Sequence, residues 1–213
     1  MKQGVLEKNL LSAALKGDID AVDEYADEGA DVDAADGAER TALWHAASAG
    51  NLTMIQILFK HGADPNAPDR DGITPLIAAL KEHKWKAAET LLEMADIDAR
   101  AGSKMFTALH SAIWQDMADD DHRRVEFLMK HNADAYKADE AGVTPLQTAR
   151  DLAQKWPAAQ KLVDLIEEFK DGPEAREQYL ARKRDNAIRD GMMHGTTRTL
   201  TAKTARWKNT PGA

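Results

Sequence analysis

The sequence predicts an all-α solenoid, in which helix-turn-helix units joined by hairpin-like loops stack side by side. A Thr-x-Leu string repeats at nearly constant intervals, and its copies begin at Thr41, Thr74, Thr107 and Thr144. A glycine with the same 33-residue spacing, at Gly17 and Gly50, indicates a fifth unit before the other four. Alanine makes up roughly a sixth of the chain, which suits closely packed helices. Periods of about 20 to 50 residues are typical of stacked arrays.

Each unit has the same internal order. After the threonine comes a short apolar-periodic stretch, then a glycine, a second amphipathic stretch and a polar loop, which predicts two helices and a hairpin-like connection. Threonine at a helix start can cap free backbone N–H groups, and Pro75 and Pro145 fit the first helical turn. Gly50 and Gly62 permit the positive φ that ends a helix. The units are predicted at about 4–37, 38–70, 71–103, 104–140 and 141–172.

Two strings and three loops resemble a known repeat family. The string from Thr41 reads TALWHAA and the string from Thr107 reads TALHSA, while the loops at 29–33, 62–66 and 132–134 read GADVD, GADPN and NAD. These strings resemble ankyrin repeats over about residues 4 to 171. The resemblance implies recognition of a protein partner by a concave face made of hairpin tips and first helices. It implies no intrinsic catalysis and no cofactor.

Three units depart from the common pattern. The third has His83 in place of the glycine and a shortened loop at 95–98, which predicts an irregular loop. The fourth is four residues longer, and we expect the extra length at 116–122 to form a loop between its two helices. The fifth runs through Trp156-Pro157 into a longer second helix, as expected of a polar terminal cap.

The acidic run in the fourth unit has two interpretations. Asp119, Asp120, Asp121 and His122 could offer oxygens to a divalent cation. However, adjacent positions do not converge on one point, and no glycine turn of the calcium-loop kind is present. We therefore interpret the run as a solvated loop and predict no metal site.

Register within the repeats sorts the aromatic side chains. His110 occupies the position of the family's structural histidine, and Trp44 takes the same position in the second unit, half-buried. Trp85 matches a buried position of the second helix and is predicted to be core. Trp114 falls on the first-helix face that the family leaves open, where an exposed tryptophan can anchor a partner. His45 is expected where the helix face turns toward the same surface.

The open face predicts a mixed, charged groove suited to a polar protein surface. The candidate partner-binding residues are Arg40, His45, Arg70, Asp71, Lys81, Glu82, Lys104, Ser111, Trp114 and Gln115.

Charge and composition narrow the function further. The chain has 28 Lys and Arg against 36 Asp and Glu, a net charge of −8, and no cysteine. Disulfides, thiolate metal sites and a cysteine nucleophile are therefore excluded. No apolar run approaches the roughly 18 residues that span a bilayer, so we expect a cytoplasmic protein. The acidic repeats favour a basic protein partner, with roles such as an inhibitor or immunity protein, or an effector or adaptor.

The C-terminal part differs in charge from the repeats. From Pro173 onward the chain carries nine basic and four acidic residues, which marks a boundary. Residues 173–190 are predicted to form a capping helix, and 191–213 a basic, threonine-rich extension that is either loose or docked on the repeats. An alternative function is association of this extension with nucleic acid or another acidic partner, although its charge is small for that purpose.

Motifs of common enzyme classes are absent from the sequence. The chain has no G-x-S-x-G, no phosphate-binding G-x-x-x-x-G-K-[ST], no G-x-G-x-x-G and no H-E-x-x-H. We therefore expect a binding module rather than an enzyme.

Overall fold

A computed structural model describes residues 3–169, which lie in one compact unit. The helices are α1 (Gln3–Lys16), α2 (Ile19–Asp27), α3 (Ala42–Ala49), α4 (Leu52–Lys60), α5 (Pro75–Lys81), α6 (Trp85–Leu91), α7 (Ala108–Asp119), α8 (Arg123–Lys130), α9 (Pro145–Lys155) and α10 (Gln160–Phe169), with a 3₁₀ turn at Pro157–Ala159. The all-α prediction is confirmed, since the same residues hold only isolated β-bridges beside these helices. The predicted helix at 173–190 and the extension at 191–213 lie outside the described residues.

The helices form antiparallel pairs that stack in chain order. Each odd-numbered helix packs against the even-numbered helix that follows it, and the odd-numbered helices α1, α3, α5, α7 and α9 also pack against one another in sequence. The predicted helix-turn-helix unit is therefore repeated through the described residues. Among these helices, none combines the length and apolar composition needed to cross a membrane.

Two columns of apolar side chains run through the stack. The leucine of the Thr-x-Leu string is buried in every copy, and Leu10 occupies the same position in the first unit. Three residues further along, a buried alanine recurs in the same helices at Ala13, Ala46, Ala79, Ala112 and Ala149. Because alanine has no side chain beyond Cβ, neighbouring first helices approach closely, which explains the alanine enrichment.

Helix starts follow the sequence prediction. The hydroxyl oxygens of Thr41, Thr74, Thr107 and Thr144 each accept a hydrogen bond from the backbone N–H three residues later. Pro75 and Pro145 occupy the first helical position, where no N–H is needed. In the third unit, His83 adopts the left-handed conformation (φ 54°) that Gly17 and Gly50 adopt in the first two.

Of the loop predicted at 116–122, residues 116–119 form helix, and only 120–122 lie between the two helices. Helix α7 continues through Asp119, and Asp120 ends it in the left-handed conformation. The reason lies in Asp116, which is fully buried and bound by two donors, the Arg124 guanidinium (3.0 Å) and the Val125 N–H (2.8 Å). Burial raises the pKa of the Asp116 carboxyl. The added helical turn thus continues the packed face of α7.

Arg124 joins this turn to the preceding unit. Its side chain is 3% exposed and donates from Nε to the carbonyl oxygen of Leu80 at the end of α5. A second nitrogen, Nη2, lies 2.9 Å from Asp119 Oδ2 and 3.0 Å from His83 Nε2. Of the run interpreted as solvated, Asp119 is therefore paired with Arg124 and Asp121 with Arg123. The Arg123 guanidinium lowers the pKa of Asp121 to about 2.

The hairpin-like loops extend beside the helices as fingers. We call residues 36–40 finger 1, 69–73 finger 2, 101–106 finger 3 and 139–143 finger 4. Fingers 1, 2 and 4 are each closed by a hydrogen bond from the N–H of the first residue to the carbonyl oxygen four residues later. Finger 3 has one more residue, and Ala101 and Phe106 exchange two hydrogen bonds at its base. The irregularity predicted for the third unit is located here.

The loops after the second helices are joined by a ladder of carboxylate and amide side chains. Asp33 accepts the Asp64 N–H, Asn66 accepts the Asp96 N–H, and Asp98 accepts the Asp134 N–H. Burial raises the pKa of both Asp33 and Asp98, and nearby carboxylates raise it further, while the backbone N–H that each accepts opposes the rise.

Replacing these two aspartates by asparagine is expected to stabilise the protein at neutral pH. When the pKa of a carboxyl is higher in the folded than in the unfolded state, its ionised form lowers the free energy of unfolding. This destabilisation is fully present above the folded-state pKa and disappears when the carboxyl is protonated in both states. Asn66 already makes the same bond without charge. We expect Asp33→Asn and Asp98→Asn each to raise Tm by about 1–3 °C at pH 7, measured by circular dichroism. The gain should shrink as the pH falls toward 4, whereas Asp71→Asn, at an exposed carboxylate, should change Tm little at either pH.

Candidate functional site

A groove runs between the four fingers and the first helices α3, α5 and α7. It contains a first depression of about 230 Å³ between the second and third units and a second of about 360 Å³ on the fourth unit. A third, of about 420 Å³, adjoins the second and shares Lys104 and Phe106 with it. Each of these depressions could receive a side chain of a partner.

The first depression is built around Trp44 at the start of α3. The indole Nε1 donates to the Ile73 carbonyl oxygen (3.1 Å), which fixes the ring to finger 2. The Arg40 guanidinium carbon lies 5.3 Å from the ring centre, and its Nη2 lies 2.9 Å from Asp36 Oδ2. One face of the tryptophan is thus occupied by the protein's own arginine. Trp44 is half-buried, as the sequence predicts.

Finger 1 is held together by the Asp36 carboxylate. Burial opposes its ionisation, but hydrogen bonds from the Arg40 N–H and guanidinium, the Ala38 N–H and His45 outweigh burial. They hold the pKa of Asp36 well below its usual range. His45 Nε2 lies 3.1 Å from Asp36 Oδ2, and burial lowers the pKa of this histidine. The imidazole predicted to face a partner is therefore half-buried and engaged within finger 1.

The rest of the first depression is charged and exposed. Asp71 on finger 2 and Lys81 and Glu82 at the end of α5 line it together with Arg40. Arg70, also predicted to bind the partner, joins fingers 1 and 2. Its N–H donates to the Ala38 carbonyl oxygen (3.0 Å), and its guanidinium contacts the Gly37 carbonyl oxygen.

The second depression combines an aromatic floor with an exposed tryptophan. Phe106 forms the floor, and Ser111, Trp114 and Gln115 of α7 line one side, as the sequence predicts for the open face of this helix. Trp114 is 46% exposed although it is among the largest side chains. The adjoining depression, which shares Phe106, is lined by Asp139 and Glu140 of finger 4.

Phe106 is held in place by the structural histidine. The two rings stack with centroids 5.1 Å apart and planes inclined by 10°. His110 is fully buried, its Nδ1 accepts the Thr107 N–H (3.2 Å), and its Nε2 donates to the Val143 carbonyl oxygen (3.1 Å). Burial lowers the pKa of His110, which agrees with a neutral ring that uses one nitrogen as acceptor and one as donor. The structural role predicted for His110 is observed.

A carboxylate brace in fingers 1, 2 and 4, which finger 3 lacks, is a feature that the sequence prediction missed. In fingers 1, 2 and 4 the first residue is an aspartate whose Oδ1 accepts the N–H groups two and four residues later. Finger 3 has Ala101 at this place, one additional residue, and Met105 in the left-handed conformation (φ 55°). The signal was available in the repeat alignment, since aspartate recurs at 36, 69 and 139. Finger 3 therefore presents Lys104 without the brace of its neighbours.

Trp85 differs from its predicted place in the core. It is half-buried and contacts Phe127 of α8, with ring centroids 5.7 Å apart. The Arg123 guanidinium carbon lies 5.8 Å from the Trp85 ring centre. Within residues 3–169, no group of three or more histidine or carboxylate side chains is placed to hold a metal ion.

Comparisons with known proteins agree with the repeat architecture. A family model of ankyrin repeats, in three copies, matches residues 10–101. The chain is 33% identical over 147 residues to a mitochondrial disaggregase of Bos taurus, covering 67% of this chain and 21% of the relative. It is 31% identical over 175 residues to the mitochondrial disaggregase of Homo sapiens, covering 67% and 24%. It is 30% identical over 160 residues to inversin of Canis lupus familiaris, covering 74% and 14%. The chain thus spans less than a quarter of the length of these relatives.

Proposed function

This chain belongs to the ankyrin-repeat family, and we propose that it is a non-enzymatic module that binds one basic protein through the groove between its fingers and first helices. Ankyrin repeats support a role in protein–protein interaction. Beyond that general role, we propose that the partner is basic and that it binds the residues of the groove.

One observation carries the choice of surface, namely the exposure of Trp114 beside the Phe106 floor. Tryptophan is enriched among the residues that dominate binding energy, because it buries a large area at little cost in side-chain entropy. Trp114 lies on a helix whose opposite face packs in the stack, so its ring is held at the groove. A partner that covers it would remove a large apolar surface from water.

The charge of the described repeats supports a basic partner. Residues 3–169 contain 17 Lys and Arg against 31 Asp and Glu, a net charge of −14. Such an excess speeds encounter with proteins of opposite charge and disfavours acidic ones. Neutralisation of a basic protein, as by an inhibitor or immunity protein, is one form of this function, and an effector or adaptor role is another.

Trp114→Ala is expected to abolish capture of the partner from native lysate. Loss of a central anchor costs about 2 kcal/mol or more, roughly a 30-fold loss of affinity. The measurement is affinity capture with the full chain, with bound proteins identified and quantified by mass spectrometry. Trp156→Ala is the matched control, since Trp156 is 48% exposed and follows α9.

The outcome for the control decides the interpretation. A basic protein held by the original chain and by Trp156→Ala, but lost from Trp114→Ala, supports the proposal. A partner retained equally by all three chains would show that binding does not use this groove. Unchanged helicity of both variants excludes misfolding as the cause of a loss.

A further inference from the structure

The junction of fingers 3 and 4 combines a fixed aromatic ring with carboxylates. We propose that the two adjoining depressions that share Phe106, one lined by Trp114 and the other by Asp139 and Glu140, together form a pocket that accepts one arginine side chain of the protein partner. The inference rests on the proposed function and names the group that the groove recognises.

The face of Phe106 is already a site for a cation. The ring stacks on His110, which is itself hydrogen-bonded to the Thr107 N–H and the Val143 carbonyl oxygen. The Lys104 ammonium lies over the Phe106 ring, 5.6 Å from its centre. A cation at this distance is attracted by the negative face of the ring.

The sides of the pocket supply the charge that a guanidinium needs. Asp139 and Glu140 line it on the finger 4 side, and Glu140 is exposed at the tip. Glu140 is held close to finger 3, because its N–H donates to the Lys104 carbonyl oxygen (3.1 Å). On the α7 side, Trp114 offers a second aromatic surface. Arginine suits such a site better than lysine, since its planar group stacks on rings and binds carboxylates with two N–H groups at once.

The protein binds its own arginines in this way at two other places. In finger 1 the Arg40 guanidinium lies over Trp44 and pairs with Asp36. The second such group consists of Arg123, Trp85 and Asp121. At Phe106 an aromatic face and carboxylates come together with a lysine in place of the arginine. An arginine of another protein could therefore make the same two contacts at Phe106, one with the ring and one with a carboxylate.

The Lys104 side chain then occupies the face of the Phe106 ring until the incoming arginine displaces it. It is exposed and lies on the unbraced finger 3, so its side chain can leave the ring without disturbing the fold. Removing its charge should uncover the ring and relieve repulsion of the ligand. Lys104→Met is thus expected to strengthen binding of arginine, the opposite of what a direct contact from Lys104 to the partner would give.

The test uses three matched peptides and the full chain. We would titrate acetyl-Gly-Arg-Leu-amide and its lysine and citrulline counterparts, and follow the indole N–H of Trp114 by NMR, assigned by its loss in Trp114→Phe. The arginine peptide should shift this signal saturably, about threefold more tightly than the lysine peptide and about tenfold more tightly than the uncharged citrulline peptide. The Trp156 indole serves as the control within the same molecule.

Two variants complete the test. Lys104→Met should tighten binding of the arginine peptide about two- to fivefold, and Glu140→Gln should weaken it about threefold. Equal binding of arginine and citrulline, weaker binding to Lys104→Met, or no shift of Trp114 up to about 20 mM peptide would each overturn the proposal. The peptide titration does not need the natural partner, so its result is independent of the capture experiment. A negative titration would overturn the arginine pocket but not the binding of a partner at Trp114, and a negative capture would overturn the proposed function but not binding of the arginine peptide.

Discussion

Asp116→Ala is expected to lower the free energy of unfolding by about 3–5 kcal/mol, the largest effect that we predict for a single substitution. The change leaves the Arg124 guanidinium, which is 3% exposed, without its most buried partner. It also removes the acceptor of the Val125 N–H at the start of α8. A charge left in the protein interior without its counter-charge costs far more than an exposed ion pair contributes.

The measurement is urea unfolding followed by circular dichroism. Asp119→Ala is the matched control, because Asp119 also binds Arg124 but its side chain is 51% exposed. We expect the control to cost less than about 1 kcal/mol. Joint replacement of Asp116 and Arg124 by leucine should cost less than Asp116→Ala alone, since no buried charge remains unpaired. Equal losses for Asp116→Ala and Asp119→Ala would contradict this interpretation of the pair.

Gly72→Ala is expected to cost about 2–4 kcal/mol and to separate fingers 2 and 3. Gly72 has φ 81°, a conformation that costs a residue with a Cβ about 1–2 kcal/mol. A Cβ on Gly72 would also lie 2.6 Å from the Cα of Gly102 and 2.9 Å from its N. Because both contacts are backbone atoms, one finger must move, which adds a packing cost of about 1–2 kcal/mol.

Gly62→Ala separates the two causes. Gly62 has φ 82° but an added Cβ would meet no atom within 4 Å, so this variant reports the conformational cost alone. We expect Gly72→Ala to lower the urea midpoint at least twice as much as Gly62→Ala. Similar losses in the two variants would mean that the contact between fingers 2 and 3 is easily relieved.

The regular part of the fold could be predicted from the sequence because it is local and repeated. A threonine that caps a helix acts on N–H groups three residues away, and the buried leucine recurs at the same register. The exposure of Trp114 and the structural role of His110 were predicted from their register together with the resemblance to ankyrin repeats. The prediction that Trp85 lies in the core was wrong. The repeat register predicts the helix face on which a side chain lies, but it does not predict contacts such as that of Arg123 with the Trp85 ring.

The fourth unit shows where periodicity could have been used further. Asp116 follows Ala112 by four residues and Ile113 by three, both of which are buried on α7. Extending the helical period by one turn would have placed this carboxylate in the interior and required a buried partner. The acidic run after it favoured a loop instead. The partner, Arg124, acts through carbonyl groups of another unit, which no local pattern indicates.

Hydroxyl-radical footprinting tests the central claim most directly, because one molecule contains both the site and its control. Trp114 and Trp156 are exposed to nearly the same extent, 46% and 48%, and should be oxidised at similar rates in the free chain. With the captured partner bound, we predict that oxidation of Trp114 falls severalfold while that of Trp156 is unchanged. Equal oxidation of Trp114 in the free and bound chain would contradict the proposal that the groove is the binding site.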